Sequence, residues 1–281
     1  MAAASPTVRR RELGARLRGL RLAAGLNADE VAARMEVSAA KISRIETGTR
    51  GVSVADLQFL CDLYDASAED RDRLLRLNRD SKRRSWWQQH GLPDSVATYT
   101  GLEDATVSIH QYETSLIPGL LQTEAYARAL TTEIMFDATS DRVDQIVEAR
   151  LIRQGRLAES QPPELWTVLD EAVLRRIVGG PPTMRQQLEH LADRGRAAHV
   201  TVQVIPFEAG AHPAMDSAFE ILHLEEVSDV VYIEGLLGHF FLQSPADLIR
   251  YRRTFDHLRA IALSPRASEE LIRSIASHLP N

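Results

Sequence analysis

Ala28-Asp29-Glu30-Val31-Ala32-Ala33-Arg34-Met35-Glu36-Val37-Ser38-Ala39-Ala40-Lys41-Ile42-Ser43-Arg44-Ile45 is the stretch that decides the fold of the first part of this chain. It reads as two short helices meeting at a sharp turn. Asn27 precedes the first helix and Glu30 follows three residues later, the two halves of a capping box. Val31 and Met35 form its apolar stripe, and Ala32 is small enough to let a second helix approach closely. Ser38 caps the second helix, whose inward face is Ile42 and Ile45, and Gly48 is its stop. A helix pair of this kind can push its second member into the DNA major groove. That helix offers Ala39, Ala40, Lys41, Ser43 and Arg44 outward. Short side chains let the backbone settle deep in the groove, and the Arg44 fork matches guanine through two parallel hydrogen bonds. An ordinary amphipathic hairpin with a solvated basic face fits the same residues, so the flanks have to decide.

On the N-terminal side, Leu13, Leu17, Leu20 and Ala24 form a helix stripe closed by Gly25. On the other side, Ser53 with Asp56 starts a helix carrying Leu57, Leu60, Cys61 and Tyr64. Ser67 with Asp70 starts another, carrying Leu74, Leu75 and Leu77. Five short helices in so short a stretch make an all-α unit with local contacts.

Residues 12–78 resemble the Cro/repressor-type helix-turn-helix domain, often called the XRE family. The residues that carry the likeness are Ala32 between the helices, Val37 and Ser38 in the turn, Ile42 and Ile45 in the second helix, and Glu46-Thr47-Gly48 after it. The resemblance implies a five-helix repressor-like domain that binds double-stranded DNA. It places Ala39, Ala40 and Arg44 against base edges, with Lys41 and Ser43 beside them. Asn27 and Ser38 at the helix starts, and Arg50 beyond the second helix, complete the expected contact set. Two positions depart from the family pattern. Ala28 stands where glutamine is common, which removes one phosphate contact, and Glu36 stands where glycine is usual. The turn must therefore hold a side chain in a conformation that favours glycine.

A chain of 281 residues with 44% hydrophobic content has room for this reader and a second domain of ordinary size. The expected division is 9–78 for the reader, 79–100 for a linker, and 101–281 for a regulatory or partner-binding domain. No apolar run approaches the ~18 residues of a membrane span, and no signal-peptide core opens the chain. The expected location is the cytoplasm, on the nucleoid. Cys61, the single cysteine, sits on an apolar helix stripe and reads as core. Residues 1–90 hold 17 Lys+Arg and 12 Asp+Glu, net +5, whereas the remainder holds 16 and 27, net −11. Phosphate attraction then acts through the head alone. Arg9-Arg10-Arg11 reads either as a phosphate-contacting arm or as a tail. In the linker, the adjacent Trp86 and Trp87 read as packing residues rather than a base-stacking platform.

In the second domain, residues 102–112 read as one helical segment, followed by a turn at Ile117-Pro118-Gly119 and helices near 120–130 and 141–157. Beyond Pro162-Pro163 the period changes. Residues 165–169 and 200–205 read as strands around a helix at 184–194, a parallel pair. Residues 219–224, 230–233 and 239–242 read as an antiparallel meander, and 245–263 and 268–278 as closing helices. The expectation is an α+β domain with a mixed sheet.

Ile117-Pro118-Gly119-Leu120-Leu121-Gln122-Thr123-Glu124-Ala125-Tyr126-Ala127, with Val204-Ile205-Pro206-Phe207 and Val231-Tyr232-Ile233-Glu234-Gly235, resembles the C-terminal domain of a large group of actinobacterial helix-turn-helix regulators. That domain was long labelled as of unknown function. The resemblance implies regulation, and often a small acidic protein encoded nearby as partner. No catalytic set stands out, and no metal or cofactor is expected. His212 and Asp216 lie in a loop that reads as a solvated turn. An enzyme with an appended DNA-binding head is therefore the distant alternative. The domain is expected to mediate dimerisation, and either to dock a protein partner or to hold a small effector against Trp166, Phe207, Phe219 and Tyr232.

Overall fold

In the computed structural model, which describes residues 5–82, 94–225, 227–235 and 238–280, the helices of the N-terminal part start largely where the sequence offers a cap. Asn27 and Glu30 form the reciprocal capping box at the head of α2 (Ala28–Arg34), with bonds of 2.9 and 2.7 Å. Ser38, Ser53 and Ser67 cap α3 (Ala39–Glu46), α4 (Val54–Leu63) and α5 (Ala68–Asp80) by a single bond each, the serine hydroxyl accepting from the amide of Lys41, Asp56 and Asp70. Capping satisfies amide groups that the first helical turn leaves without partners. Glu36 lies at φ 54°, so the turn between α2 and α3 does hold a side chain in the left-handed region. Leu13 and Leu17 from α1 (Pro6–Ala23) join Val31, Ile42, Ile45, Leu57, Leu60, Cys61 and Leu74 in one core.

The chain forms two units, Met1–Ala105 and Thr106–Asn281. A sixth helix, α6 (Asp94–Glu103), packs against α1 and belongs to the first. Trp86 and Trp87 lie outside the described residues.

The second unit is built on a six-stranded mixed sheet in the order β3-β2-β1-β4-β5-β6. β1 (Thr106–Glu113), β2 (Glu164–Asp170) and β3 (Val200–Ile205) run parallel. β4 (Phe219–Leu224), β5 (Val230–Gly235) and β6 (Gly238–Leu242) continue antiparallel from β1. Between β1 and β2 come α7 (Glu124–Ile134) and α8 (Ser140–Gln154). Between β2 and β3 come α9 (Glu171–Arg175) and α10 (Pro181–Arg194). The chain closes with α11 (Pro245–Ile261) and α12 (Pro265–His278). Leu248, Phe255 and Leu258 of α11 cover one sheet face, against Tyr112, Val168, Ile221 and Val231. On the other face Ile109, Leu165, Leu169, Leu222 and Val230 are at most 1% exposed.

One expected element is wrong. The single helix over 102–112 is the end of α6 followed by β1, the strand at the centre of the sheet. Leu102, Ile109 and Tyr112 are all buried, and their spacing mimics a helical stripe. A central strand flanked on both sides and covered on both faces loses the polar–apolar alternation that would have marked it.

Candidate nucleic-acid interface

The second helix of the reader, α3, is positioned by three contacts. Gly14 of α1 is the closest: a methyl group there would fall 2.4 Å from the Ile45 carbonyl oxygen and 2.5 Å from that of Glu46. The helices can touch this closely only because the position is glycine. Arg21 of α1 forks onto Glu46 through bonds of 2.6 and 2.8 Å, and donates a third, 2.8 Å, to the Leu26 carbonyl. Both side chains are 8% exposed, and the Glu46 bond raises the Arg21 guanidinium above its ordinary value. The third contact is Gly48 at φ +70°, which seats the end of α3 against Arg11; Arg10 donates to its carbonyl at 2.7 Å.

Held this way, α3 buries Ile42 and Ile45 and exposes Ala40, Ser43, Arg44 and Thr47, a single face at three- and four-residue spacing. Arg44 rests its Nε on the Ala40 carbonyl at 3.2 Å. Just beyond, the Thr49 hydroxyl (3.2 Å) and the Arg50 amide (2.9 Å) both donate to the Arg44 carbonyl, which ties the exposed Arg50 to the helix end. Ser38 and Asn27 are also exposed, but as helix caps.

Two expected contact residues sit differently. Ala39 is half-buried and packs on the reader core, and Lys41 is half-buried with its Nζ 3.0 Å from Asp56 on α4. Lys41 lies on the side of α3 that reaches α4, whereas Ala39, two residues earlier and so on a different side of the helix, turns onto the core. Thr47 and Thr49 are absent from the expected contact set. Thr47 follows Ser43 and Arg44 by four and three residues, which is the signal that would have found it.

Arg9-Arg10-Arg11 is neither arm nor tail but the first turns of α1. Arg9 pairs with Glu12 at 3.2 Å, and Arg11 is 4% exposed, with burial and then Arg10 pulling its guanidinium down to about 10. Glu12 also accepts from Arg16 (3.0 Å) and from Arg73 of α5 (3.1 Å). Burial acts to raise that carboxyl, but these bonds outweigh it and hold it below the usual value. Arg9, Arg10, Arg16 and Arg21 are therefore engaged within the fold, whereas Arg18 is exposed.

The four aromatic residues expected to line a site in the second unit do not share one. Phe219 and the half-buried Trp166 lie on the α11 face of the sheet. Tyr232 follows Val231, which lies on that face, so strand alternation sends it to the opposite face, where it stacks on His239. Phe207 is 57% exposed beyond the end of β3. His212 is also not in a solvated turn. Its side chain is 3% exposed, 3.2 Å from the Tyr112 hydroxyl and 3.7 Å from Asp170, and so pins the β3–β4 loop to the strand ends.

A second polar chain runs under α11. His110 stacks on Phe255 with ring centroids 4.8 Å apart, and its Nδ1 lies 3.3 Å from His223 Nε2. His223 Nδ1 is 2.8 Å from Asp229, which also pairs with Arg252. Burial, then His223 and Arg259, pull His110 from 6.5 down to about 4. The unfolded chain takes up this proton near 6.5 whereas the folded unit resists until about 4. His110 therefore makes the second unit lose stability as pH falls through that window, and contributes no pH dependence above it. Melting curves across the window should show the loss, and His110→Phe should flatten it.

Residues 96–274 match a family described as a domain of unknown function, DUF5753. The chain belongs to the DUF5753 family. Residues 12–74 match a helix-turn-helix domain, the segment that spans α2, α3 and the helices packed on them. The first unit is thus a helix-turn-helix DNA-binding domain, and the protein is a DNA-binding regulator. No curated protein and no solved structure matches it. Among the described residues, no helix is long and apolar enough to cross a membrane.

Proposed function

We propose that the protein is a sequence-specific transcriptional regulator of the Cro/repressor type, with α3 as its reading helix. The observation that carries this reading is the exposed face of α3, where Ala40, Ser43, Arg44 and Thr47 stand out from a helix locked by Gly14 and Glu46. Arg44 reads a base, Ser43 and Thr47 flank it, and Arg50 anchors phosphate. The protein acts as a cytoplasmic homodimer on the nucleoid, since one such helix spans only a few base pairs and repressor-type readers pair their half-sites. The second unit is a regulatory body rather than an enzyme, of the kind found in actinobacterial regulators. It responds to a partner, such as a small acidic protein encoded nearby, or alternatively to a small effector. The dispersal of Trp166, Phe207, Phe219 and Tyr232 favours a partner surface over an aromatic effector pocket.

Selection of duplexes from a random pool by the full chain, followed by titration, tests the reading. Arg44→Ala is expected to lose about 1–3 kcal/mol on the selected duplex and almost nothing on random DNA. Arg50→Ala is expected to weaken both alike and to lower the salt slope by about one. Equal losses for Arg44→Ala on both duplexes would move the reading head elsewhere. Failure to enrich any sequence would sink sequence-specific binding altogether.

A further inference from the structure

The cations around α3 are held to different degrees. Arg21 is tied to Glu46 with both side chains only 8% exposed, which commits it to the fold. Arg44 is exposed and leans on the Ala40 carbonyl. Lys41 lies between these cases. It precedes Arg44 by three residues, so the two are neighbours on the surface of α3. Its Nζ is 3.0 Å from Asp56 Oδ2, in a pair whose side chains are 21% and 30% exposed. The carboxylate is the fixed member. Asp56 stands in the first turn of α4, where the helix dipole favours negative charge, and its amide donates to Ser53 Oγ at 2.9 Å. The next residue, Leu57, is fully buried and roots that turn in the reader core. Lys41 is the movable member, because a flexible four-carbon stem carries its compact ammonium to whichever anion is near.

We infer that Asp56 is a specificity-determining residue of the reader: it holds Lys41 back from the DNA backbone, so that the base contact of Arg44 decides where the protein binds. The inference rests on the DNA-reading role of α3 proposed above. Sequence-independent affinity follows the number of cations that reach phosphate, whereas discrimination follows contacts to base edges. A free lysine beside the reading arginine would add to the first and nothing to the second. On a random duplex the reader is tied to no register, and it shifts until a freed Lys41 meets a phosphate. On its own site the Arg44 contact fixes the register, and the same lysine gains less. A partly exposed ion pair is weak. Asp56 therefore does not lock Lys41 away as Glu46 locks Arg21, but competes with phosphate for it. The competition lowers random binding more than specific binding.

Titration of the full chain on the selected duplex and on random DNA tests this. Asp56→Asn removes the charge but keeps the side-chain shape and the amide bond to Ser53. Its binding to random DNA is expected to tighten by roughly three- to tenfold at about 0.1 M salt, with a salt slope steeper by about one. The selected duplex should gain less, so that the ratio of the two affinities falls. Asp56→Glu, which keeps the charge, should stay near the wild type. Adding Lys41→Gln to Asp56→Asn should return random binding to the wild-type level. That return separates a released lysine from the mere loss of a negative charge near DNA. Melting of the first unit should change little in these variants, since the pair is partly exposed. Random binding unchanged in Asp56→Asn, an equal gain on both duplexes, or a gain that survives Lys41→Gln overturns the proposal. A wild-type chain that enriches no sequence fails the reading role itself, and the discrimination assigned to Asp56 falls with it.

Discussion

Gly14→Ala is expected to unfold the reader or to displace α3 from it. The added methyl would sit 2.4 and 2.5 Å from two backbone carbonyl oxygens, of Ile45 and Glu46, and neither can rotate away as a side chain does. The helices must separate, which strips packing from Ile42 and Ile45, both 2% exposed. Overpacking a core usually costs about 1–3 kcal/mol, and a clash onto backbone belongs at or above the top of that range. The loss should appear in the melting of the N-terminal unit and in DNA binding, on selected and random duplexes alike. Gly19→Ala is the control, because a methyl group there meets nothing within 4 Å. In mid-helix it should stabilise slightly, by about 0.5–1 kcal/mol. If Gly14→Ala melts with the wild type and binds DNA normally, then the close contact of α1 with α3 does not set the reading helix.

Leu121→Asp is expected to have the second large effect, in the other unit. Leu121 is 0% exposed, in a tight turn that α8 and α10 pack around. Its neighbours are already committed: Gln187 donates to the Leu121 carbonyl at 2.8 Å, and Gln122 donates to the Ile117 carbonyl at 2.7 Å while accepting from Arg150 at 2.7 Å. Leu121 is an apolar plug in a ring of bonded amides, and a carboxylate there has no partner prepared for it. An uncompensated buried charge costs about 3–5 kcal/mol. Circular dichroism should show the second unit melting early or unfolded, while the reader, with its own core, keeps its helices. A variant that melts like the wild type would show that packing at Leu121 does not hold the second unit together.

The architecture of the first unit is written in its local residues. Asn27, Ser38, Ser53 and Ser67 each cap a helix within reach of their own neighbours, and the apolar stripes they precede face a single core. Such signals are local, so periodicity and capping chemistry are enough to read them. The parallel pair β2–β3 and the meander β4–β5–β6 are legible for a related reason, since short apolar runs alternate with helices or tight turns there.

What escapes such a reading involves partners distant along the chain. Gly14 meets Ile45, Arg21 meets Glu46, and Lys41 is claimed by Asp56, so which cations of the reader face outward depends on helix packing rather than on helix pattern. His212 reads as a loop residue until Tyr112, one hundred positions away, is set beside it. β1 loses its alternation because strands on both sides and layers on both faces bury it, and Tyr232 parts from Trp166 and Phe219 because sheet register assigns them opposite faces. Residue order alone is enough to say where helices begin, which stripes are apolar, and that the head is basic and the body acidic. Which charges are spent on the fold and which remain for DNA follows only from the packed chain, because burial and ion pairing are properties of neighbours in space.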